Sequence, residues 1–556
     1  SLMIDSQSWQ DLAQAKRDAL RNSIPKNWLL EQVPSPEHLQ NVVEFVESSL
    51  SPEERQITEL PLEVLRPALQ AGLVSSKEAT LAFAHRAALA HQLTNCLTEF
   101  ILEDALRRAD ELDIYLKETG RPVGPLHGVP VSLKDLFYLE GTDTTIGFAA
   151  WLNDKAMIQD EAGVVKILRD AGAVFFVKTN VPTSMMCAET VNNIFGFTNN
   201  AINRFCSASG SSGGEGSLLA LHGSPLGIGS DIGGSIRLPA SVAGIWGLKV
   251  TPGRFPIIGT RSTDPGQVLI PSVVGPMANS LQALEICTKL LLSSQPWLVD
   301  PSVVELPWKN CDLPSNLVFG VMLNDGIVHP QPPIEQALTQ VIDALERDGH
   351  EVLSFSPPSH FQALTLWLEI MTQCAGEQIH ELIEKAGEPL IEEVAVIFGS
   401  KKGERSAISV AEAHEQAMEL KAYRMEYERA WNETAQQSRC GRAMDGILLP
   451  NTGVVCWRRG GVTYQGYTPP ANVLHFPSIS MPLAKAEPIP QIHRQNFLSS
   501  IDEDVYHAYD PDMCRGMPIG IQLMGRRFQE EKLLAMAQVV ESSCSKASLT
   551  RTKASL

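Results

Sequence analysis

A short segment rich in glycine and serine carries the residue types best suited to nucleophilic chemistry. Residues 227–239 read GIGSDIGGSIRLP, and Ser235 follows directly after Gly233 and Gly234. Glycines let the backbone approach a ligand closely, and consecutive free N–H groups near a helix N-terminus attract anions. Attack by Ser235 on an acyl carbon, with the oxyanion held by the amides of Ile232 and the two glycines, fits this pattern. The alternative is a turn of small residues without a chemical role.

A nucleophilic serine needs a base, and histidine and lysine are the two candidates. The 13 histidines are dispersed along the chain, and none lies in a recognisable triad motif. Lys134 lies within VPVSLKDLF, a mostly apolar run that is typical of a buried strand. Desolvation lowers the pKa of a lysine and favours the neutral amine, which can accept a proton. The alternative for Lys134 is a structural ion pair with Asp135 or Asp231.

A second serine cluster comes earlier in the chain. SASGSSGGEG at 207–216 contains G-x-S-x-G, the nucleophile-elbow pattern, centred on Ser212. An elbow follows an apolar strand, whereas the preceding residues NRFCSASG are polar, so this match is weak evidence. GIGSDIG at 227–233 is one residue too long for the dinucleotide-binding fingerprint, and no G-K-[ST] follows for a phosphate-binding loop.

The elements that must position these residues alternate between strands and helices. Apolar runs rich in β-branched residues, bounded by Gly, Pro, Asp or Asn, predict buried strands at 125–137, 173–181, 224–231, 317–323, 446–450 and 520–525. Periodicity and capping residues predict helices at 35–50, 75–93, 160–172, 235–247 and 530–543. Ser35 is the expected N-cap of the first of these helices. The alternation of strand, helix and strand indicates an α/β fold.

The composition is that of a soluble globular enzyme. The 556 residues are 44% hydrophobic and 20% charged, with a net charge of −19. Such an acidic chain is expected to bind neither nucleic acid nor anionic membranes. No signal peptide is recognisable, and no window reaches the ~18 uncharged apolar residues of a membrane span, so no membrane anchor is expected. Ten scattered cysteines without a C-x-x-C pair favour a cytoplasmic protein, and a homodimer is left open.

The sequence resembles the amidase signature family in three separated blocks, which occur in the family's order. The blocks are GPLHGVPVSLKD (124–135), SGSSGGEGSLLALHGSPLGIGSDIGGSIRLPA (209–240) and GLKVTPGR (247–254). The likeness is strong over residues 80–260 and weaker over 440–540. Within the family, the sequence looks most like the fungal acetamidase-type amidases.

The resemblance implies one α/β/α domain over residues 1–556, with helices that sandwich a central mixed β-sheet. Residues 121–260 would form the signature core, and residues 441–545 would complete it. The segments 8–120 and 332–440 are expected to be mostly helical, which agrees with their apolar periodicity.

The resemblance also assigns roles to three side chains. It implies a Ser-Ser-Lys triad in which Ser235 is acylated, Ser211 relays protons and Lys134 is the base. The peptide bond before Ser211 is expected to be cis. The implied reaction converts a small-molecule carboxamide to a carboxylate and ammonia or an amine, without a metal or an organic cofactor. Short aliphatic or small aryl amides are the expected substrates. A larger or cyclic amide is one alternative, and a catalytically silent binding protein is another.

Further residues are implied to bind the substrate or to support the site. The backbone amides expected to form the oxyanion hole are those of Ile232, Gly233, Gly234 and Ser235. Met185 corresponds to a position that lines the substrate site, and Asp231 and Arg237 are expected to brace the loop.

The late block YTPPANVLHFPSISMP departs from the acetamidase pattern. Fungal acetamidases often have an aromatic residue before the asparagine and an acidic residue at the position of His475, whereas this chain has Ala471 before Asn472. These positions are expected near the acyl pocket, so the preferred substrate size is expected to differ. The aromatic residues that either line a pocket there or pack in the core are Trp457, Tyr464 and Tyr467.

Overall fold

Short buried strands make up the sheet that positions the predicted catalytic residues. The structure is a computed structural model that describes residues 8–154 and 160–547. The strands within these residues are β1 (Leu97–Phe100), β2 (Pro130–Lys134), β3 (Val174–Thr179), β4 (Val191–Asn192), β5 (Gly196–Phe197), β6 (Gly227–Asp231), β7 (Trp246–Lys249), β8 (Val273–Ala278), β9 (Val318–Val321), β10 (Glu351–Ser354), β11 (Gly446–Pro450), β12 (Ser478–Lys485) and β13 (Pro518–Met524). In the described part of the chain, eleven strands form one sheet in the order β1-β3-β2-β6-β8-β7-β12-β13-β11-β9-β10.

The sheet is mixed, and its parallel and antiparallel parts alternate. β3, β2 and β6 run parallel to one another, and so do β11, β9 and β10. The strands between these two groups pair antiparallel. β2, β3 and β6 are buried along their whole length, as expected for strands that are covered on both faces.

Helices flank this sheet. The helices within the described residues are α1 (Trp9–Ser23), α2 (Val43–Ser48), α3 (Pro52–Thr58), α4 (Leu62–Gln70), α5 (Ser76–Thr94), α6 (Leu102–Thr119), α7 (Gly163–Asp170), α8 (Gly213–Ala220), α9 (Arg237–Ala243), α10 (Leu281–Ser293), α11 (Pro332–Arg347), α12 (His360–Met371), α13 (Glu377–Ala386), α14 (Glu392–Phe398), α15 (Val410–Glu433), α16 (Pro469–Val473), α17 (Ser500–His507), α18 (Pro511–Cys514) and α19 (Glu530–Lys546). The predicted single α/β domain with a central mixed sheet is confirmed. None of the helices described is long and apolar enough to cross a bilayer.

Local capping explains where some of these helices begin. α5 starts after Ser75, whose hydroxyl accepts from the Glu78 amide, while the Glu78 carboxylate accepts from the Ser75 amide. This capping box satisfies two N–H groups that the helix itself leaves unpaired. The predicted helix at 75–93 is therefore confirmed.

The predicted helix at 35–50 is mostly wrong. Only α2 is helical in this region, and it begins at Val43. The hydroxyl of Ser35 contacts the ring of His38 at 2.9 Å and caps no helix. The following backbone bonds to a distant loop, because the Val42 amide donates to the carbonyl of Ala201 at 3.1 Å. These long-range hydrogen bonds override the local helical pattern.

The parallel pairing of β2 with β6 prepares the site. Leu133 lies opposite Ile228, so the carboxyl ends of the two strands meet at one edge of the sheet. Lys134 is the last residue of β2, and Asp231 is the last residue of β6. Crevices outside the carboxyl ends of parallel strands are common ligand sites in α/β proteins.

Gly275 provides a test of the packing in the middle of this sheet. A Cβ atom at Gly275 would lie 2.0 Å from the carbonyl oxygen of Leu248 on β7. Because a backbone atom cannot move aside without breaking the sheet, Gly275→Ala should lower the free energy of unfolding by roughly 3 kcal/mol or more. The matched control is Gly266→Ala, because a Cβ atom there meets nothing within 4 Å. Equal thermal unfolding of the two variants by circular dichroism would contradict the described packing.

Candidate active site

Three separate segments converge on one cavity at the edge of the sheet. Lys134 ends β2, Ser211 lies in the loop before α8, and Ser235 lies in the turn between β6 and α9. Ser211 and Ser235 line a cavity of about 1060 Å³. Lys134 is fully buried behind them. The structure thus brings together the three residues that the sequence singles out.

The amino group of Lys134 is surrounded by hydroxyl groups. Its Nζ lies 2.7 Å from Oγ of Ser211 and 2.8 Å from Oγ of Ser230. Lys134 forms no ion pair with any described carboxylate, because Asp135 pairs with Lys178 and Asp231 pairs with Arg237. The alternative interpretation of Lys134 as half of a structural ion pair is therefore wrong.

Burial controls the protonation of Lys134. Desolvation lowers its pKa to about 7, although the more distant carboxylates of Asp231 and Glu215 act in the opposite direction. A substantial fraction of the amine is therefore neutral near pH 7, and only the neutral form can accept a proton.

Ser211 and Ser235 are held next to each other through their backbones. The peptide bond between Gly210 and Ser211 is cis, as the resemblance leads one to expect. The amide of Ser212 donates to the carbonyl of Ser235 at 3.1 Å. Among the described contacts, none is a hydrogen bond between the hydroxyls of Ser211 and Ser235, so a proton relay needs a side-chain rotation. Such bonds often tighten only when a substrate binds.

The amides beside Ser235 differ in whether another group of the protein accepts their hydrogen bonds. Within the described residues, no group accepts a hydrogen bond from the N–H of Ile232, Gly233 or Ser235. The N–H of Gly234 differs, because it donates to the Asp231 carboxylate at 2.9 Å. The expected set of four open amides is thereby reduced to three in this conformation.

Two side chains that the sequence analysis missed hold the carbonyls of this loop. The indole N–H of Trp367 on α12 donates to the carbonyl of Ile232 at 2.8 Å. The hydroxyl of Thr468, just before α16, donates to the carbonyl of Gly233 at 2.6 Å. In a planar trans peptide the C=O and N–H point in opposite directions. Anchoring the Ile232 carbonyl therefore directs the N–H of Gly233 away from Trp367.

The same two side chains explain why this loop contains two glycines. A Cβ atom at Gly233 would lie 2.6 Å from the ring of Trp367. Gly234 has a φ of +135°, and a Cβ atom there would lie 2.3 Å from Oγ1 of Thr468. Any side chain at either position would push away the group that anchors the loop.

Asp231 is the centre of the polar network behind the loop. Its carboxylate pairs with Arg237 at 2.9 Å and accepts from the amide of Asn472 at 3.0 Å. Burial alone would raise the pKa of Asp231, but the Arg237 guanidinium and the hydrogen bonds hold it well below its usual range. Both ions are fully buried, so the predicted bracing residues stabilise the turn that carries Ser235.

The cavity wall includes the predicted Met185. Met185 and its neighbour Ser184 both have positive φ angles, near 60°, and both line the cavity together with Met186. Ser212, the centre of the nucleophile-elbow match, is buried and makes only backbone contacts. It does not line the cavity.

Of the four ring-bearing candidates in the C-terminal part of the chain, three lie in the core and one lines the cavity. Trp457, Tyr464 and Tyr467 are buried in one hydrophobic cluster, and none of them lines the cavity. Tyr464 donates to the Asp325 carboxylate at 2.6 Å. His475, in contrast, borders the same cavity as Ser235.

Comparisons with known proteins agree with this fold. Residues 78–534 match the profile of the family named Amidase. The chain is 38% identical to an acetamidase of Aspergillus oryzae, over 96% of this chain and 98% of that protein. It is 37% identical to an acetamidase of Emericella nidulans, again over 96% and 98% of the two chains. A solved structure of a fatty acid amide hydrolase superposes with a TM-score of 0.91 and 32% identity, over 97% and 95% of the two chains.

The chain therefore belongs to the amidase signature family. It is a hydrolase that acts on amides. The family shared by these proteins agrees with the one that the three sequence blocks resemble.

The anchoring role of Trp367 and Thr468 can be tested by removing single hydrogen-bond donors. Trp367→Phe and Thr468→Val keep most of each side chain's shape but leave a carbonyl of the loop free to rotate. Because removal of one oxyanion donor costs about 100-fold or more in kcat, loss of the Trp367 anchor, which orients the Gly233 amide, should lower kcat by roughly tenfold with little change in KM. Thr468→Val should have a smaller effect, because the N–H of the peptide that it frees already donates to Asp231.

The matched control for Trp367→Phe is Trp308→Phe, which removes an indole donor to Asn310 at the surface. Steady-state amide hydrolysis should be unaffected in the control. An unchanged kcat in both loop variants would show that the two anchors do not position the amides.

The pH dependence of hydrolysis should report the protonation of Lys134. Since the base must be neutral, kcat/KM should fall as the pH drops through about 7 and level off above it. An acid limb near the ~10.4 of an ordinary lysine would contradict a desolvated base. Burial also raises the pKa of Glu215 to about 7. Both groups would titrate in the same pH range, and Glu215→Gln separates them. If Lys134 is the source of the acid limb, kcat/KM of this variant should still fall as the pH drops through about 7.

Proposed function

We propose that the chain hydrolyses small carboxamides through an acyl-enzyme on Ser235. Neutral Lys134 accepts the proton of Ser211, which takes the proton of Ser235 as Ser235 Oγ bonds to the carbonyl carbon. The electron pair of the C=O bond moves to the oxygen. The open amides of Ile232, Gly233 and Ser235 lie beside Ser235, where they would stabilise this oxyanion.

Collapse of the tetrahedral intermediate breaks the C–N bond. The proton held by Lys134 returns through Ser211 to the departing nitrogen, so a primary amide releases ammonia. A water molecule then loses its proton through the same relay and attacks the ester on Ser235. The acid is released, and Ser235 recovers its proton. The observation that carries this proposal is the 2.7 Å contact between Lys134 and Ser211 in a buried site that opens towards Ser235.

Two substrate classes remain to be separated. The similarity to two fungal acetamidases supports short aliphatic or small aryl amides. The cavity of about 1060 Å³ is much larger than such substrates need and supports a larger amide as the second candidate. The likeness to a fatty acid amide hydrolase points in the same direction.

A graded panel of primary amides would separate these classes. Ammonia release would be measured from acetamide, hexanamide, benzamide and a fatty amide. A maximum at the short acyl chains supports the first class, and a maximum at the longer ones supports the second. Ser235→Ala should lower kcat by a factor of about 1,000 or more, because the acyl-enzyme can no longer form.

The control is Ser212→Ala, which removes the neighbouring serine of the G-x-S-x-G match and should retain activity. Ammonia release by Ser235→Ala at the wild-type rate would refute the proposed nucleophile. No release from any amide by the wild-type protein would refute the proposed reaction.

A further inference from the structure

Arg527 at one wall of the cavity and Arg424 behind that wall form no ion pair with any described carboxylate. His475 and Arg527 line the cavity, and Arg424 lies directly behind His475. Arg424 Nη2 donates to Nε2 of His475 at 2.7 Å. These three residues are called the basic wall below. They come from α15, from the turn after α16 and from the segment after β13.

The acceptors that Arg424 uses are all neutral. Its Nε donates to the carbonyl of Val473 at 2.6 Å, and Nη2 also donates to the carbonyl of Leu269 at 3.0 Å. In the described part of the chain, Arg424 forms no ion pair, and Nη1 has no acceptor. A half-buried guanidinium without a counter-charge is unfavourable, so a bound anion would stabilise it.

Arg527 is also unpaired among the described residues. Its guanidinium stacks over the ring of Phe528 at 4.6 Å and meets no carboxylate. By contrast, Arg261 on the same cavity pairs with Asp154 at 3.2 Å. Arg527 at the wall and Arg424 behind it thus both lack a counter-charge among the described residues, in a chain with 64 acidic and 45 basic residues.

His475 adds a polar ring to this wall without adding charge. Burial and the nearby Arg424 lower its pKa to about 3, so the ring is neutral at pH 7. Nε2 of the ring contacts both Nη2 of Arg424 at 2.7 Å and the carbonyl of Leu269 at 3.0 Å, so the ring is held between these two groups. The positive charge at this place therefore comes from the guanidinium groups of Arg527 and Arg424, and not from the ring.

From this arrangement we propose that the basic wall binds a carboxylate at the far end of the substrate's acyl group. The substrate class would then be half-amides of dicarboxylic acids, which end in an amide on one side and a carboxylate on the other. Guanidinium groups bind carboxylates through paired, charge-assisted hydrogen bonds. This inference rests on the proposed amide hydrolysis, since it names the substrate of that same site.

Calorimetry on the Ser235→Ala protein tests binding separately from hydrolysis. The ligands are succinamate, glutaramate and adipamate, each compared with the neutral amide of equal carbon number: butanamide, pentanamide and hexanamide. At least one half-amide should bind about tenfold more tightly than its neutral partner, and added salt should weaken that preference.

Two further variants, made in the Ser235→Ala protein, locate the effect. His475→Asp places a carboxylate beside Arg424. It should bring the ratio of half-amide affinity to neutral-amide affinity close to one. Arg527→Gln should lower the ratio of half-amide to neutral-amide affinity. The control is Arg458→Gln, because Arg458 is exposed, stacks on Phe205 and does not line the cavity.

Equal binding of every half-amide and its neutral partner would overturn the inference. So would a preference that His475→Asp leaves intact, or tighter binding of inorganic phosphate than of any half-amide. Failure of the proposed function looks different, since the wild-type protein would then bind half-amides but release ammonia from none.

Discussion

The buried amino group of Lys134 is the constraint on which the site depends. An ammonium group in this position would need a carboxylate partner, and the described structure gives it only the hydroxyls of Ser211 and Ser230 and the Ser230 carbonyl. Because β2 and β6 are buried on both faces, water cannot replace that partner. The sheet therefore holds a lysine that is partly neutral near pH 7, which is the property a base in this position requires.

The second requirement is a loop whose amides stay open. Trp367 meets it for the Gly233 amide by holding the carbonyl at the opposite end of the same peptide. Thr468 and Asp231 hold the two ends of the next peptide, so the Gly234 amide is fixed and not open. These anchors come from segments far apart in the chain, so α12 and α16 are part of the site although they carry no predicted catalytic residue. The cavity beyond them is wide, and its basic wall gives it a means of selecting among amides.

The parts of this account that could be predicted from the sequence rest on local patterns. β2 and β6 lie within the apolar runs predicted at 125–137 and 224–231, although β2 is only Pro130–Lys134, and the glycines before Ser235 mark a close backbone approach. Trp367 could not be found in this way, because no local pattern distinguishes it from the other apolar residues of its helix. Its role depends on a contact across 135 residues of sequence. The prediction of a helix starting at Ser35 was wrong for a related reason. Long-range hydrogen bonds to the loop near residue 201 determine the backbone conformation there.

The central claim is that Ser235 is the nucleophile and that Lys134 activates it. The most direct test is to label the protein with a fluorophosphonate, follow the rate of labelling, and locate the modified residue by peptide mass spectrometry. The account predicts one modified residue, Ser235, and labelling at least about 100-fold slower in Lys134→Ala. Labelling of Ser211 or Ser212 instead, or an unchanged rate without Lys134, would contradict it.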